Sequence, residues 1–231
     1  MNFTTKIFGH RGASAAFPEN TRSAFEGAVA QGADGVELDV RRSRDGVLVV
    51  HHDPHLSDGR AIIEHDHGDL GPEILTLAEA LEASEPIEVN VEIKSDEGEP
   101  DYDPTYAVVP QVIEELRRQP PERFEMFEVS SFDRDLLLAV RQADPEINTA
   151  QLLVNGLSRK AWQRAADDGH NAINPHWRTV DKTLVERCTE LGLAVNVWTL
   201  DKPSAIRKLA GWGVNSIIAN DPAAARAALT E

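Results

Sequence analysis

The spacing of apolar positions alternates between two periods from one end of the chain to the other. Short β-rich runs give way to longer stretches with apolar residues three and four apart. Eight runs read as strands: Ile7–His10, Val36–Val40, Ile87–Ile93, Phe127–Ser131, Thr149–Val154, Ala172–Asn174, Ala194–Thr199 and Ser216–Ala219. Eight segments read as helices: Thr21–Gln31, Leu77–Ala83, Tyr106–Arg118, Arg134–Gln142, Ser158–Asp168, Lys182–Leu191, Ser204–Trp212 and Ala223–Leu229. Gly32, Gly169, Gly192 and Gly213 are stop signals, and Asn20, Asp133, Ser158 and Asp181 are candidate N-caps. Alternating strands and helices predict a parallel sheet, and eight repeats predict its closure into a (β/α)8 TIM barrel, a single domain over residues 1–231. A doubly wound open sheet is the competing architecture, but it usually has fewer strands and often a glycine-rich phosphate turn, and no G-x-G-x-x-G occurs here.

One stretch breaks the alternation. After Val40 the chain reads RRSRDGVLVVHHDP, which leaves no room for a helix, and Asp45-Gly46 is a strong two-residue hairpin signal. The expected element is a β-ribbon extending strand 2 above the barrel rim. A two-residue turn pairs Arg44 with Val47, Arg42 with Val49 and Asp39 with His52, placing His52 on the face of Asp39 and turning His51 away. The connection from Asp53 to Leu75 is a short, polar insertion whose longest apolar stretch is Ile62-Ile63, so no deep apolar lid is expected from it.

Composition narrows the function classes. Hydrophobic residues at 41% and charged residues at 27% are ordinary for a folded globular protein. The net charge of −16 argues against nucleic acid and anionic membrane surfaces as partners. Cys188 is the sole cysteine; it sits in a stretch with helical spacing, where a packed thiol is expected, and its isolation fits a reducing compartment. The N-terminus lacks the apolar core of a secretory signal and no apolar run has bilayer-spanning length, so the expected location is cytoplasmic, without membrane anchoring.

The chemistry gathers where a barrel of this type carries it, at the C-terminal ends of the strands. Strand 1 ends in His10-Arg11-Gly12, strand 2 carries Glu37 and Asp39 on one face, strand 3 places Asn90, Glu92 and Lys94 on one face, and strand 7 ends in Trp198-Thr199. Three carboxylates facing a barrel interior repel one another and lose hydration, and a bound dication relieves both. An oxygen-only set of Glu37, Asp39 and Glu92 suits one divalent cation, Mg²⁺ or Ca²⁺, better than Zn²⁺. An isolated Glu-x-Asp is more often a solvated or salt-bridged pair, with Arg41, Arg42 or Lys94 as partners here; its recurrence with Glu92, His10 and His52 favours the metal. His65 and His67 in EHDHGDL lack a third ligand and read as a solvated loop, as does the acidic DEGEPDYDP after strand 3, whose position near the rim leaves a substrate-facing role as the alternative.

GHRGASAAFPENTRSAF and GADGVELDVRRSRDGVLVVHHDP, followed in order by VEIK, SSF, INP, VWT and GVNSIIANDP, resemble the signatures of the glycerophosphodiester phosphodiesterases. The resemblance runs along nearly the whole chain, and the first two blocks together are highly specific. It implies that His10 and His52 are the general acid–base pair, that Glu37, Asp39 and Glu92 hold the metal, that Arg11 and Lys94 bind phosphoryl oxygens, and that Phe132 and Trp198 line the pocket. The implied reaction is hydrolysis of a small-molecule phosphodiester to glycerol 3-phosphate and an alcohol, in lipid and glycerol metabolism. Two other readings stand beside it: a lysophospholipase D or sphingomyelinase D-like enzyme on the same barrel, and a non-catalytic phosphate-ligand binding protein. Two departures from the resemblance are the short insertion and the ending Ala219-Asn220-Asp221-Pro222, where relatives often carry Thr-Asp and where no catalytic role is expected.

Overall fold

The structure is a computed structural model that describes residues 5–154 and 159–230. The elements run β1 (Lys6–His10), α1 (Arg22–Ala30), β2 (Gly35–Arg42), β3 (Leu48–Val50), α2 (His67–Leu70), α3 (Leu77–Ala83), β4 (Glu88–Ile93), α4 (Val108–Arg118), β5 (Phe127–Ser131), α5 (Arg134–Ala143), β6 (Asn148–Leu153), α6 (Arg159–Asp167), β7 (Ala172–Pro175), α7 (Lys182–Glu190), β8 (Ala194–Val197), α8 (Pro203–Trp212), β9 (Ser216–Ala219) and α9 (Pro222–Thr230). Strand order β1-β9-β8-β7-β6-β5-β4-β2, with β1 paired to β2, closes an eight-stranded parallel barrel. This is the predicted TIM barrel, and β3 is the predicted ribbon, antiparallel to β2.

The core lies between barrel and helices. Val36, Leu38, Val89, Val91 and Val129 pack outward against Phe25, Leu81, Val112 and Leu136 on one side. On the other, Ile7, Ile173, Val195 and Ile217 meet Leu184, Ile206 and Cys188. The Cys188 thiol is pushed up to about 12 by burial, so it is a packed group rather than a nucleophile. Predicted caps hold at Asp133 and Asp181, whose side chains accept from the first turns of α5 and α7. Asn20 does not cap α1. Its side chain is spent on Asp39, and Thr21 takes the cap by accepting from the Ala24 amide. Ser158 lies outside the described residues.

A repeated device sets the starts of the strands. Gly32-Ala33-Asp34, Gly169-His170-Asn171 and Gly213-Val214-Asn215 each end a helix and begin a strand, with positive φ at each glycine. The acidic or amide side chain then accepts from a neighbouring strand: Asp34 from the Ile7 amide at 2.7 Å, Asn171 from Thr149 at 3.0 Å and Asn215 from Val195 at 2.9 Å. Each backbone N–H returns a bond to the same residue's carbonyl. These reciprocal pairs lock β1 to β2, β6 to β7 and β8 to β9 in register. Arg226 of α9 also reaches Asp34, tying the last helix to the first half of the barrel.

Below the mouth, the lower barrel cavity carries polar side chains beside Phe8 and Ile218. Glu128 accepts from Asn174 and Asn196 at 3.4 and 3.3 Å, and burial pushes its carboxyl up to about 7.

Removing one of the reciprocal pins leaves a strand N–H without its partner. Asn215→Ala is expected to lower unfolding stability by about 1–2 kcal/mol, read from urea denaturation, with Asn215→Asp recovering most of it. An unchanged midpoint for Asn215→Ala would show that the pin carries no stability.

Candidate active site

Eight of the nine residues singled out by sequence line one cavity at the C-terminal mouth of the barrel: His10, Arg11, Glu37, His52, Glu92, Lys94, Phe132 and Trp198. The ninth, Asp39, is fully buried beside them. Register explains the convergence. Glu37 lies level with His10 on β1 and with Asn90 on β4, and Asp39 lies level with Glu92.

The three carboxylates are at most 7% exposed, and their ligand oxygens lie within 4.8 Å of one another. Lys94 Nζ bridges Asp39 at 2.8 Å and Glu92 at 2.5 Å, and Arg11 Nε stands 3.3 Å from Asp39. Asn20 donates to Asp39 at 2.8 Å, and the Arg11 amide donates to Glu37 at 3.0 Å. Arg11 and Asn20 both adopt left-handed backbone, φ 56 and 58, a strained conformation for residues with a side chain. At Arg11 it is followed by Gly12, where a Cβ would come within 2.5 Å of Ala24 backbone and force the loop off α1.

Charges here are unequal. Burial, then Asp39 and Glu92, hold the Glu37 carboxyl well above the usual range. Burial raises Glu92 to about 6 against the pull of Lys94. Burial works in the same direction on Asp39, but Lys94 and Arg11 outweigh it and hold the carboxyl at about 2. Once all three carboxyls are ionised they outnumber the two cations and leave surplus negative charge in a poorly hydrated pocket. The donors are all oxygen and mutually close. The triad therefore fits a hard divalent cation.

His10 is held from behind. Asp201 takes the amide hydrogens of Asn220 at 2.7 Å, which turns Asn220 Oδ1 toward His10 Nδ1 at 2.8 Å. The oxygen accepts, so Nδ1 carries the hydrogen and Nε2 is left to exchange a proton; Thr199 Oγ1 lies 3.4 Å from it. Asn220, given no role from sequence, thus sets the tautomer. The clue was its place at the end of the last strand, where barrel chemistry gathers. His52 Nδ1 donates to Asp53 at 2.7 Å. Burial lowers both histidines, assisted by Arg11 at His10 and Lys94 at His52, so the neutral imidazole is favoured.

The ribbon register differs from expectation by one residue. Val40 pairs with Val50, Arg41 with Val49 and Arg42 with Leu48, and the His51 amide, not that of His52, bonds Asp39. The turn holds three residues, Arg44-Asp45-Gly46, with Gly46 at φ 82 and the Ser43 hydroxyl bonded to Asp45 and Val47. A left-handed glycine at the third position gives a bulged turn in place of the two-residue one. His52 still reaches the cavity because the backbone bonding to β2 ends with the His51 amide, one residue before it. His51 turns back, bonding the Asp53 carbonyl at 2.8 Å.

Phe132 and Trp198 meet edge to face at 5.7 Å, and His176, missed from sequence, packs edge-on against Trp198 at 5.3 Å. A second cavity of about 430 Å³ opens beside the first, walled by Asp96, Glu99, Phe132 and Val154. The insertion lines neither cavity; Ile62, Leu70 and Ile74 pack beneath the ribbon on Val49. His65 and His67 bond backbone carbonyls inside the insertion. No helix among the described residues is long and apolar enough to cross a membrane.

The sequence model of the glycerophosphoryl diester phosphodiesterase family matches residues 10–224. The chain belongs to that family. A glycerophosphodiester phosphodiesterase of Caldanaerobacter subterraneus subsp. tengcongensis is 31% identical, over 94% of this chain and 95% of the relative. An Oleispira antarctica phosphodiesterase, solved with its product sn-glycerol-3-phosphate, superposes with a TM-score of 0.89 at 25% identity, covering 99% of this chain and 98% of that one. The Thermotoga maritima glycerophosphodiester phosphodiesterase gives a TM-score of 0.78 at 26% identity, covering 98% of both chains. Family membership makes this chain a phosphodiesterase.

Because carboxylates must be deprotonated to hold a cation, affinity should be full above the raised values of Glu37 and Glu92 and fall as pH drops through about 6. Calorimetric titration with Mg²⁺ or Ca²⁺ is expected to show dissociation constants weakening several-fold from roughly pH 7.5 to roughly pH 5.5. Affinity independent of pH over that span would remove the triad as the binding site.

Proposed function

We propose that this enzyme hydrolyses glycerophosphodiesters to glycerol 3-phosphate and an alcohol, with His10 and His52 as the acid–base pair and one Mg²⁺ or Ca²⁺ held by Glu37, Asp39 and Glu92. The observation that carries the reading is the convergence of two histidines and three buried carboxylates on one cavity, in a chain of this family. We place the reaction in the cytoplasm, as one domain's activity in lipid-headgroup and glycerol metabolism.

Arg11 and Lys94 sit among the carboxylates as positive charge for the phosphoryl oxygens, which gain negative character as the transition state forms. The cation, when bound, supplies Lewis-acid stabilisation to the same oxygens. One histidine removes a proton from the nucleophile and the other protonates the departing alkoxide. Asn220 and Asp53 each take an Nδ1–H and present Nε2. Phe132 and Trp198 give the site an apolar wall.

The leaving alcohol faces the open cavity beside the site, where Glu99 is paired with Arg41 and, among the described residues, the exposed apolar surface is that of Phe132 and Val154. Glycerol 3-phosphate release from choline, ethanolamine and glycerol esters should therefore agree in kcat/KM within about tenfold, equivalent to ~1.4 kcal/mol. Exhaustive chelation should abolish release, and Mg²⁺ or Ca²⁺ should restore it. Full turnover in metal-free buffer would overturn the metal role, and a preference of about a hundredfold for a long-chain lysophospholipid would replace the substrate class.

His52→Ala should reduce kcat by roughly 10²–10⁴-fold, while His51→Ala, on a side chain turned out of the cavity, should leave turnover nearly intact. The reverse pattern in folded proteins would assign the role to His51.

A further inference from the structure

We propose that Arg41 is a positioning residue for His52, and that the acidic loop after β4 forms the other jaw of the same clamp. The inference rests on His52 being one of the catalytic pair.

Arg41 is the last residue but one of β2 and is 3% exposed. All five of its N–H groups are used. Nε and Nη2 donate to the backbone carbonyl of His52 at 2.8 and 2.6 Å. Nη1 donates to Glu99 at 2.8 Å and to Asp101 at 2.7 Å, and Nη2 also reaches the second oxygen of Glu99 at 3.2 Å. One planar fork thus joins a backbone carbonyl on the ribbon to two carboxylates on another loop. An ammonium has neither the span nor the five directed donors for this.

His52 needs such a hold. The last backbone bond of the ribbon to β2 is from the His51 amide to the Asp39 carbonyl at 3.0 Å, and among the described residues the side chain of His52 bonds Asp53, itself 71% exposed. Beyond the His51 amide, the backbone of His52 is held through its carbonyl by the guanidinium. The loop is anchored in turn: Arg42 pairs with Asp103 at 3.2 Å, and Asp103 accepts from Thr105 and the Ala107 amide at the approach to α4. A displacement of a catalytic group by about 1 Å is enough to cost on the order of 10²-fold in rate.

The test is a double-mutant cycle, with kcat and KM measured on glycerophosphocholine and cation affinity measured by calorimetry. Arg41→Lys, Arg41→Met and the pair Glu99→Gln/Asp101→Asn are made alone and together with His52→Ala. Each is expected to lower kcat by about 10- to 100-fold with KM and cation affinity within about threefold of wild type. In the His52→Ala background they should have no further effect. Wild-type kcat for Arg41→Lys would show that charge alone suffices and overturn the clamp. So would effects of Arg41 and His52 that multiply. If the Arg41 variants fail to fold, the Glu99→Gln/Asp101→Asn pair carries the same cycle with Arg41 in place. Wild-type turnover for His52→Ala would instead remove the reading of His52 itself.

Discussion

Three carboxylates crowded within 4.8 Å of one another and almost closed to water govern the upper half of this molecule. Such a cluster is unstable without compensating charge and directed hydrogen bonds. Lys94 and Arg11 supply the charge, and Asn20 and the Arg11 amide supply the bonds. The two left-handed residues in this set are strained conformations held in place by the groups they serve. The same surplus of negative charge makes the pocket receptive to a dication, and the cations around it suit an anionic phosphodiester.

The barrel makes this crowding tolerable by being rigid. Reciprocal side-chain and backbone pairs at Asp34, Asn171 and Asn215 fix the heights at which neighbouring strands start. Height at the start becomes height at the mouth, where His10 comes level with Glu37 and Asp39 with Glu92. Below them Glu128, Asn174 and Asn196 form a hydrogen-bonded group, with Phe8 and Ile218 lining the same lower cavity as Glu128 and Asn196.

Around the rim, the loops divide the labour. The insertion, the natural candidate for a lid, spends its apolar residues beneath the ribbon on Val49 and leaves the pocket alone. The acidic segment after β4, which reads in sequence as a solvated loop, folds onto Arg41 and walls the open cavity beside the site. A buried guanidinium explains why so acidic a stretch is drawn inward.

The sequence alone determined the barrel strands and the helices between them, because apolar periodicity and glycine stops are local; the short α2, inside a segment that reads as a solvated loop, it did not. It also determined which side chains meet, since strand alternation and the ends of barrel strands place Glu37, Asp39, Glu92, His10 and Lys94 by rule. What it left to tertiary structure was everything decided by one residue's difference in register or by a distant partner. The ribbon turn took three residues rather than two because Ser43 and a left-handed Gly46 stabilise the bulge. His52 reached the pocket although its derived pairing was off by one, because the strand ended early. Asn20 left its cap for Asp39, Asn220 found His10 across the barrel closure, and Arg41 found Glu99 and Asp101 some sixty positions away. Each of these depends on which polar groups burial leaves without water, and that is a property of the closed barrel, not of any segment of the chain.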